Sequence, residues 1–197
     1  MYVRAARNRD EVWLLEHIEE MNLDEAAFRS RDYVIAIDEE TNERTGFGRI
    51  RIHKTDDGDL CELTSLGVLE GWRGQGVGAH VVERLVQNAR DEGFEELYAL
   101  VGQPAYLEQF GFDRLDEVQL PEKLRDRLST KRETIEPDAV PLRLDTDRFR
   151  MPDHRREAFK RAGAEENINE PDEDDEETAE DFGIDPDQAT YKYDTGS

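Results

Sequence analysis

The segment Arg73-Gly74-Gln75-Gly76-Val77-Gly78-Ala79 stands between a β-rich stretch, Leu60–Val68, and the most regular helical pattern in the chain. Glycines at 74, 76 and 78 remove side chains where a backbone must come close to a partner. The unpaired N–H groups of a helix start point outward there, with the positive end of the helix dipole. Such a loop suits a pyrophosphate, held by several charge-assisted hydrogen bonds, with Arg73 as a local cation. Taken alone, the loop has two other readings. Gly74-x-Gly76-x-x-Ala79 formally fits a dinucleotide fingerprint, but residues 69–72 separate it from the strand. The next strand also ends in Val101-Gly102, where that fingerprint wants an acid for the ribose. The remaining reading is a structural turn that lets a helix pack closely.

The elements that must position this loop follow from periodicity. Tyr2–Ala5 reads as an opening strand, and Asn8 followed by Glu11 fits a helix N-cap with its reciprocal partner. Val12, Leu15 and Ile18 then recur at helical spacing, and a second short helix is expected around residues 24–30. Residues 33–38 and 45–53 are β-rich across the polar stretch 39–44, which signals a hairpin. Thr55-Asp56-Asp57-Gly58 is a second turn, leading into Leu60–Val68. Gly78, Val81, Val82, Leu85, Val86 and Ala89 form one apolar helical stripe, stopped by Gly93. Residues 97–101 read as an apolar strand and residues 104–110 as a short helix. After Gly111 the pattern weakens. Leu120-Pro121 opens a helix carrying Leu124 and Leu128, and residues 139–144 close with a strand. No internal repeat is visible.

Composition bounds the function. The 197 residues carry 26 Lys+Arg against 49 Asp+Glu, a formal charge of −23. Such a surplus of carboxylate excludes a nucleic-acid binder and a role on anionic membrane, since both need a basic face. No apolar run reaches the length of a bilayer span, and the N-terminus has no apolar signal segment, so a cytoplasmic protein is expected. Cys61 is a single cysteine, which rules out an intrachain disulfide and a multi-cysteine metal site. From residue 164 to 197 there are 14 acidic residues and one lysine, with few apolar side chains. This acidic tail is expected to be disordered, leaving a domain over residues 1–163 with a core at 1–115 and an extension at 116–163. The chain has 21 Arg and 5 Lys, and its many carboxylates resemble the surfaces of halophilic proteins.

Three segments together decide between the readings of the loop. Glu62-Leu63-Thr64-Ser65-Leu66-Gly67-Val68, the loop itself, and Tyr106-Leu107-Glu108-Gln109-Phe110-Gly111-Phe112 resemble the GNAT superfamily of acetyl-CoA-dependent N-acyltransferases. Arg73, Gly76 and Gly78 take its Arg/Gln-x-x-Gly-x-Gly/Ala places, and Gly111-Phe112 the later Gly-Phe. The resemblance covers about residues 1–115 and leans toward the N-acetylglutamate-synthase-like branch.

The resemblance implies an α/β (α+β) fold, with a mixed, mostly antiparallel sheet whose fourth and fifth strands splay apart. It implies acetyl-CoA as co-substrate, with backbone around Leu66, Gly67 and Val68 binding the pantetheine arm. Gly74, Gln75, Gly76, Val77, Gly78 and Ala79 would hold the pyrophosphate beside Arg73. A neutral amine, from a small molecule, an amino acid or a protein, would attack the thioester carbonyl directly. Glu62 is the candidate base, four residues before Leu66, an even offset that places both side chains on one strand face. Its plain alternative is a strand-edge glutamate in solvent or paired with an arginine.

The family's usual tyrosine place holds Leu107. Tyr106 stands one position earlier, about 100° around a helix, as a packing aromatic or a displaced acid. Arg49 and Arg51 share a strand face and are either binders of an acceptor carboxylate or solvated surface cations. Cys61 reads as a small buried hydrophobe. His17, His53, His80 and His154 show no ligand spacing, and no metal is expected. The rival to catalysis is a non-catalytic acyl-CoA-binding or interaction module. Oligomeric state is left open, a dimer included.

Overall fold

A computed structural model of the chain describes residues 1–162. The acidic segment from residue 164 onward lies outside the described residues. Seven strands form one sheet in the order β1-β2-β3-β4-β5-β7-β6. They are β1 (Tyr2–Ala5), β2 (Tyr33–Ile37), β3 (Arg44–His53), β4 (Leu60–Val68), β5 (Glu96–Val101), β6 (Asp113–Arg114) and β7 (Val140–Asp145). The helices are α1 (Glu11–Glu20), α2 (Val77–Asp91), α3 (Pro104–Glu108), α4 (Glu122–Thr134) and α5 (Asp153–Arg161). Neighbouring strands run antiparallel except β4 and β5, which are parallel. This is the mixed α/β architecture implied by the resemblance.

Both faces of the sheet are covered, which is why β2 is apolar throughout rather than alternating. On one face, the stripe Val81, Val82, Leu85, Val86 and Ala89 of α2 packs against Val34, Cys61, Leu63, Leu97 and Ala99. The other face carries two apolar patches. Leu14 and Ile18 of α1 rest on Tyr33, Ile35, Ile37 and Phe47. Leu124 and Leu128 of α4 rest on Tyr98 and Leu100. Between these patches the face is polar: Arg49 and Arg51 of β3 stand opposite Thr64 and Glu62 of β4. Among the described residues no helix is long and apolar enough to cross a membrane.

A bulge shapes the centre of the sheet. Phe47 pairs with Gly67 and Arg49 with Thr64, so Ser65 and Leu66 together oppose Gly48. Ser65 takes φ of +52°, an uncommon left-handed conformation for a side-chain-bearing residue, and its Oγ–H donates to the Asp24 carbonyl at 2.5 Å. The extra residue reverses the alternation. Glu62 and Leu66 therefore do not share a face: Leu66 turns to the α2 side, against the core below Gly48, whereas Glu62 stays on the α4 side. Pairing of β4 with β5 extends over Glu62–Tyr98 and Leu63–Ala99, after which the strands diverge.

Three local expectations are corrected. Residues 24–30 form no helix, because Arg49 takes the carbonyls of Asp24, Ala26 and Ala27, and Ala27 adopts φ of +51°. Asn8 does not cap α1. It opens a 3-10 turn (Asn8–Asp10), and the Asp10 carboxylate accepts the Arg7 amide at 2.8 Å. The chain also does not end its order at β7: α5 follows it, a helix with few apolar residues and hence a weak periodic signal.

Candidate active site

Divergence of β4 from β5 opens a cavity of about 290 Å³ lined by Asp24, Leu63, Thr64, Ser65, Leu66, Val101, Tyr106, Leu107 and Lys131, among others. An open groove continues from it past Leu66, Gly67, Val68, Arg73 and Tyr106. The three backbone positions expected to meet a pantetheine arm therefore lie along one continuous path. Gly67 is held bare by packing: a methyl group there would come within 2.7 Å of the Phe47 ring.

At the end of that path lies the glycine loop. Gly74 and Gly76 have φ of +79° and +76°, in the region that favours glycine, and Gly76 is the residue preceding α2. The first bond of the helix runs from His80 N–H to Gly76 O at 3.2 Å, so the amides of Val77, Gly78 and Ala79 precede the hydrogen-bonded ladder. Arg73 is exposed, its Nε donating to Val68 O at 3.3 Å, and Gln75 Nε2 donates to Gly71 O at 3.1 Å. One face of the loop is covered. A side chain on Gly76 would strike the carbonyl oxygen of Arg155 and come within 2.9 Å of the Phe159 nitrogen, both in α5.

The polar strip between the two apolar patches is organised around Glu62, which is fully buried. Its Oε2 meets His53 Nε2 at 2.7 Å and accepts from Arg127 Nε at 3.0 Å. Arg127, from α4, also pairs with Asp24, whose carboxylate lies 3.7 Å from Arg49 Nη2. Glu62 Oε1 and Thr64 Oγ1 have no hydrogen-bond partner among the described residues. Buried polar atoms are normally satisfied, so both atoms retain capacity for a further hydrogen bond. Glu62 does not itself line the cavity; Thr64 and Asp24 do. Of its plain alternative, the solvated strand-edge glutamate is excluded, whereas pairing with an arginine is present, through Arg127.

The two arginines separate. Arg49 is fully buried, its guanidinium committed to the loop carbonyls and stacked 5.3 Å above the Tyr33 ring. It is neither a surface cation nor available to an acceptor; it holds the chain between α1 and β2. Arg51 is half-buried and its Nη1 is unpartnered among the described residues. Burial lowers its pKa, opposed by the nearby Glu62 charge.

Leu107, at the place of the family's tyrosine, is buried in the core. Tyr106 lines both cavity and groove, and its hydroxyl lies against Gly78, where a methyl group would approach it to 2.5 Å. Burial raises the Tyr106 pKa. Cys61 is enclosed in the core, and burial pushes its thiol up to about 12, which leaves no nucleophilic thiolate. Among the described residues no three His, Cys, Asp or Glu side chains gather as a metal-ligand set.

Sequence reasoning missed His53, Arg127 and Asp24. His53 had one available signal, since it sits in the same hairpin as Glu62. Arg127 had none, because it reaches Glu62 across 65 residues of chain.

The model of the acetyltransferase (GNAT) family matches residues 2–112. An uncharacterized N-acetyltransferase of Chlorobaculum tepidum is 29% identical over 65 residues, 33% of this chain and 42% of that protein. N-acetylglutamate synthase from Neisseria gonorrhoeae, solved with coenzyme A and N-acetyl-glutamate, is similar with a TM-score of 0.59 at 18% identity. That likeness covers 72% of this chain and 34% of the synthase. Rv2747 from Mycobacterium tuberculosis, solved in complex with CoA, gives a TM-score of 0.61 at 17% identity, over 74% of this chain and 99% of that one. The two structural likenesses are of fold. The match spans under half the length of the curated relative.

Proposed function

The chain belongs to the acetyltransferase (GNAT) family, and on that premise we propose that it moves an acetyl group from acetyl-CoA to a primary amine. An amino acid is the favoured acceptor, with another small amine or a protein amino group as the other options. Acetyl-CoA supplies the activated thioester; the products are an amide and the free thiol. A C–N bond forms as the C–S bond breaks, and the amine gives up one proton to the protein while the sulfur gains one.

The observation that carries this reading is the buried Glu62 with one oxygen committed and the other free. His53 and Arg127 tie down Oε2, so the carboxylate cannot rotate freely and Oε1 is left to accept a proton. Because Glu62 stands one row behind the cavity wall, that proton travels through an intervening water beside Thr64. Backbone of Leu66–Val68, freed from β5 by the divergence, and the amides at the start of α2 are suited to pantetheine and diphosphate. The continuity of cavity and groove supports this path, while α5 covers one face of Gly76.

Arg51, opposite Glu62 in register, lines a separate cavity with Arg29 and Arg31, so the preference for an acceptor bearing a carboxylate rests on the resemblance. A panel of amines and amino acids with acetyl-CoA, read by release of free thiol in molar salt, tests the proposal. Acetyl transfer to any amine above the hydrolysis rate supports it. Tight CoA binding with no turnover on the whole panel would instead support the non-catalytic module, a reading favoured by Leu107 at the tyrosine place.

A further inference from the structure

The helix α5 lies outside the residues matched by the family model, yet it contacts the most sensitive part of the loop. Its backbone at Arg155 and Phe159 closes over Gly76, and the Phe159 ring stacks on His80 at 3.6 Å between centroids. Arg155 reaches the other side as well: its Nε donates to Gln109 Oε1 at 3.1 Å, and its guanidinium lies 5.7 Å from the Tyr106 ring centroid. One residue thus bridges the start of α2 and the segment carrying Tyr106.

The charge of this region is opposite to that of the chain. Residues 148–161 hold six Arg and Lys against two acidic residues, in a protein of net charge −23. Of these, Arg155 has its backbone against Gly76 at the start of α2 and Arg156 reaches Glu83 in the second turn of that helix, close to the positive end of the helix dipole where an anion is favoured. Arg156 has Glu83 at 3.2 Å, an exposed pair of small value, and Arg155 has no carboxylate partner among the contacts described.

Docking of α5 is also shallow. No residue of the nine in α5 is fully buried, and the preceding anchor is the Arg150 amide on Phe110 O at 2.9 Å, followed by Met151 and Pro152. Elements with few buried apolar contacts open at low free energy.

We propose that α5 is a phosphate-binding element of the cofactor site, which moves off Gly76 and presents Arg155 and Arg156 to the phosphates of CoA. The proposal rests on the reading of the cavity and groove as a CoA site. CoA carries a diphosphate and a 3′-phosphate, and a mobile basic helix hinged beside the loop would meet either. Arginine suits the task through its bidentate geometry toward phosphate oxygens.

Calorimetry on the full chain tests this with three ligands: CoA, dephospho-CoA and pantetheine. The Arg155→Ala/Arg156→Ala double variant is expected to weaken CoA binding by about tenfold or more, since each lost bond to a charged group is a sizeable term. The variant should bind pantetheine as the wild type does, and its CoA affinity should fall less steeply with salt. Arg155→Lys/Arg156→Lys should recover the salt dependence. A loss confined to CoA and absent with dephospho-CoA assigns the arginines to the 3′-phosphate; a loss with both assigns them to the diphosphate. Unchanged CoA affinity in the double variant overturns the proposal, and tighter binding overturns it in favour of a helix that merely obstructs. A wild-type protein that binds no CoA defeats the underlying site reading, a result distinct from a wild type that binds and a variant that binds equally.

Discussion

His53 Nε2 and Glu62 Oε2 lie 2.7 Å apart, with both side chains sealed from solvent. The histidine comes from the last residue of β3 and the glutamate from the third residue of β4, so the hairpin itself brings them together. Arg127 binds the same oxygen from α4. Three elements therefore fix one carboxylate through Oε2, and they leave Oε1 free.

Replacing Glu62 by Gln keeps the shape and should leave CoA affinity unchanged while lowering kcat. Loss of a general base typically removes about 10²–10⁴-fold. The deficit should narrow as pH rises, because more of the acceptor amine is then already neutral. Steady-state kinetics across pH 6–9.5 check this. Wild-type kcat in the variant would remove Glu62 from the mechanism.

Tyr106→Phe should lower kcat by less than tenfold, far less than Glu62→Gln. The hydroxyl is packed against Gly78 rather than held in a hydrogen-bond chain. Burial raises its pKa above the ordinary 10.0, so no alkaline limb from this tyrosine should appear in the pH–rate profile below about 10. A Tyr106→Phe enzyme more damaged than Glu62→Gln would make Tyr106 the acid in place of Leu107.

Arg49→Ala should act on stability and not on the acceptor KM. It removes one partner of a buried charged cluster that holds the chain between α1 and β2, a change of about 3–5 kcal/mol where such clusters are broken. A thermal melt lowered by many degrees, with KM of any surviving activity unchanged, is the expected pattern. A raised acceptor KM with an unchanged melt would return Arg49 to the binding site.

Asp10 links stability to acid. Its burial opposes ionisation, but Arg4, the Arg7 amide and Arg44 more than offset this and hold its pKa well below the ordinary 3.8. A depressed folded-state value contributes stability that is present above about pH 4 and is lost as pH falls below it. Asp10→Asn should therefore be less stable than the wild type at pH 7, with the gap closing toward pH 2. Equal pH dependence in both proteins would show that the cluster contributes nothing.

The architecture was legible where periodicity carried it. The α2 stripe, the β2–β3–β4 hairpins and the glycine loop are local patterns, and each landed where spacing put it. The helix expected over residues 24–30 failed because its carbonyls are claimed by Arg49, whose β3 position no local window contains. The shared face of Glu62 and Leu66 failed for a related reason. A bulge shifts alternation by one, and Ser65 accepts a left-handed backbone because the distant Asp24 carbonyl binds its hydroxyl. Of the Glu62 cluster, the sequence singled out the carboxylate by the resemblance and by a face argument that the bulge overturns, whereas its partners depend on how α4 crosses the sheet.

The seam between β4 and β5 has a consequence for how the molecule assembles. Two residue pairs, Glu62–Tyr98 and Leu63–Ala99, join a half built from sequence-adjacent hairpins to a half made of β5, β7 and β6. Hairpin contacts close over short loops, whereas the parallel seam must wait for the whole of α2 to cross over. The seam is also held by fewer backbone pairings than the β3–β4 hairpin on one side or the β5–β7 pair on the other. Amide hydrogens along it should exchange sooner than those inside the β3–β4 hairpin or the β5–β7 pair, so the sheet is divided into two strongly paired halves by a weakly paired line.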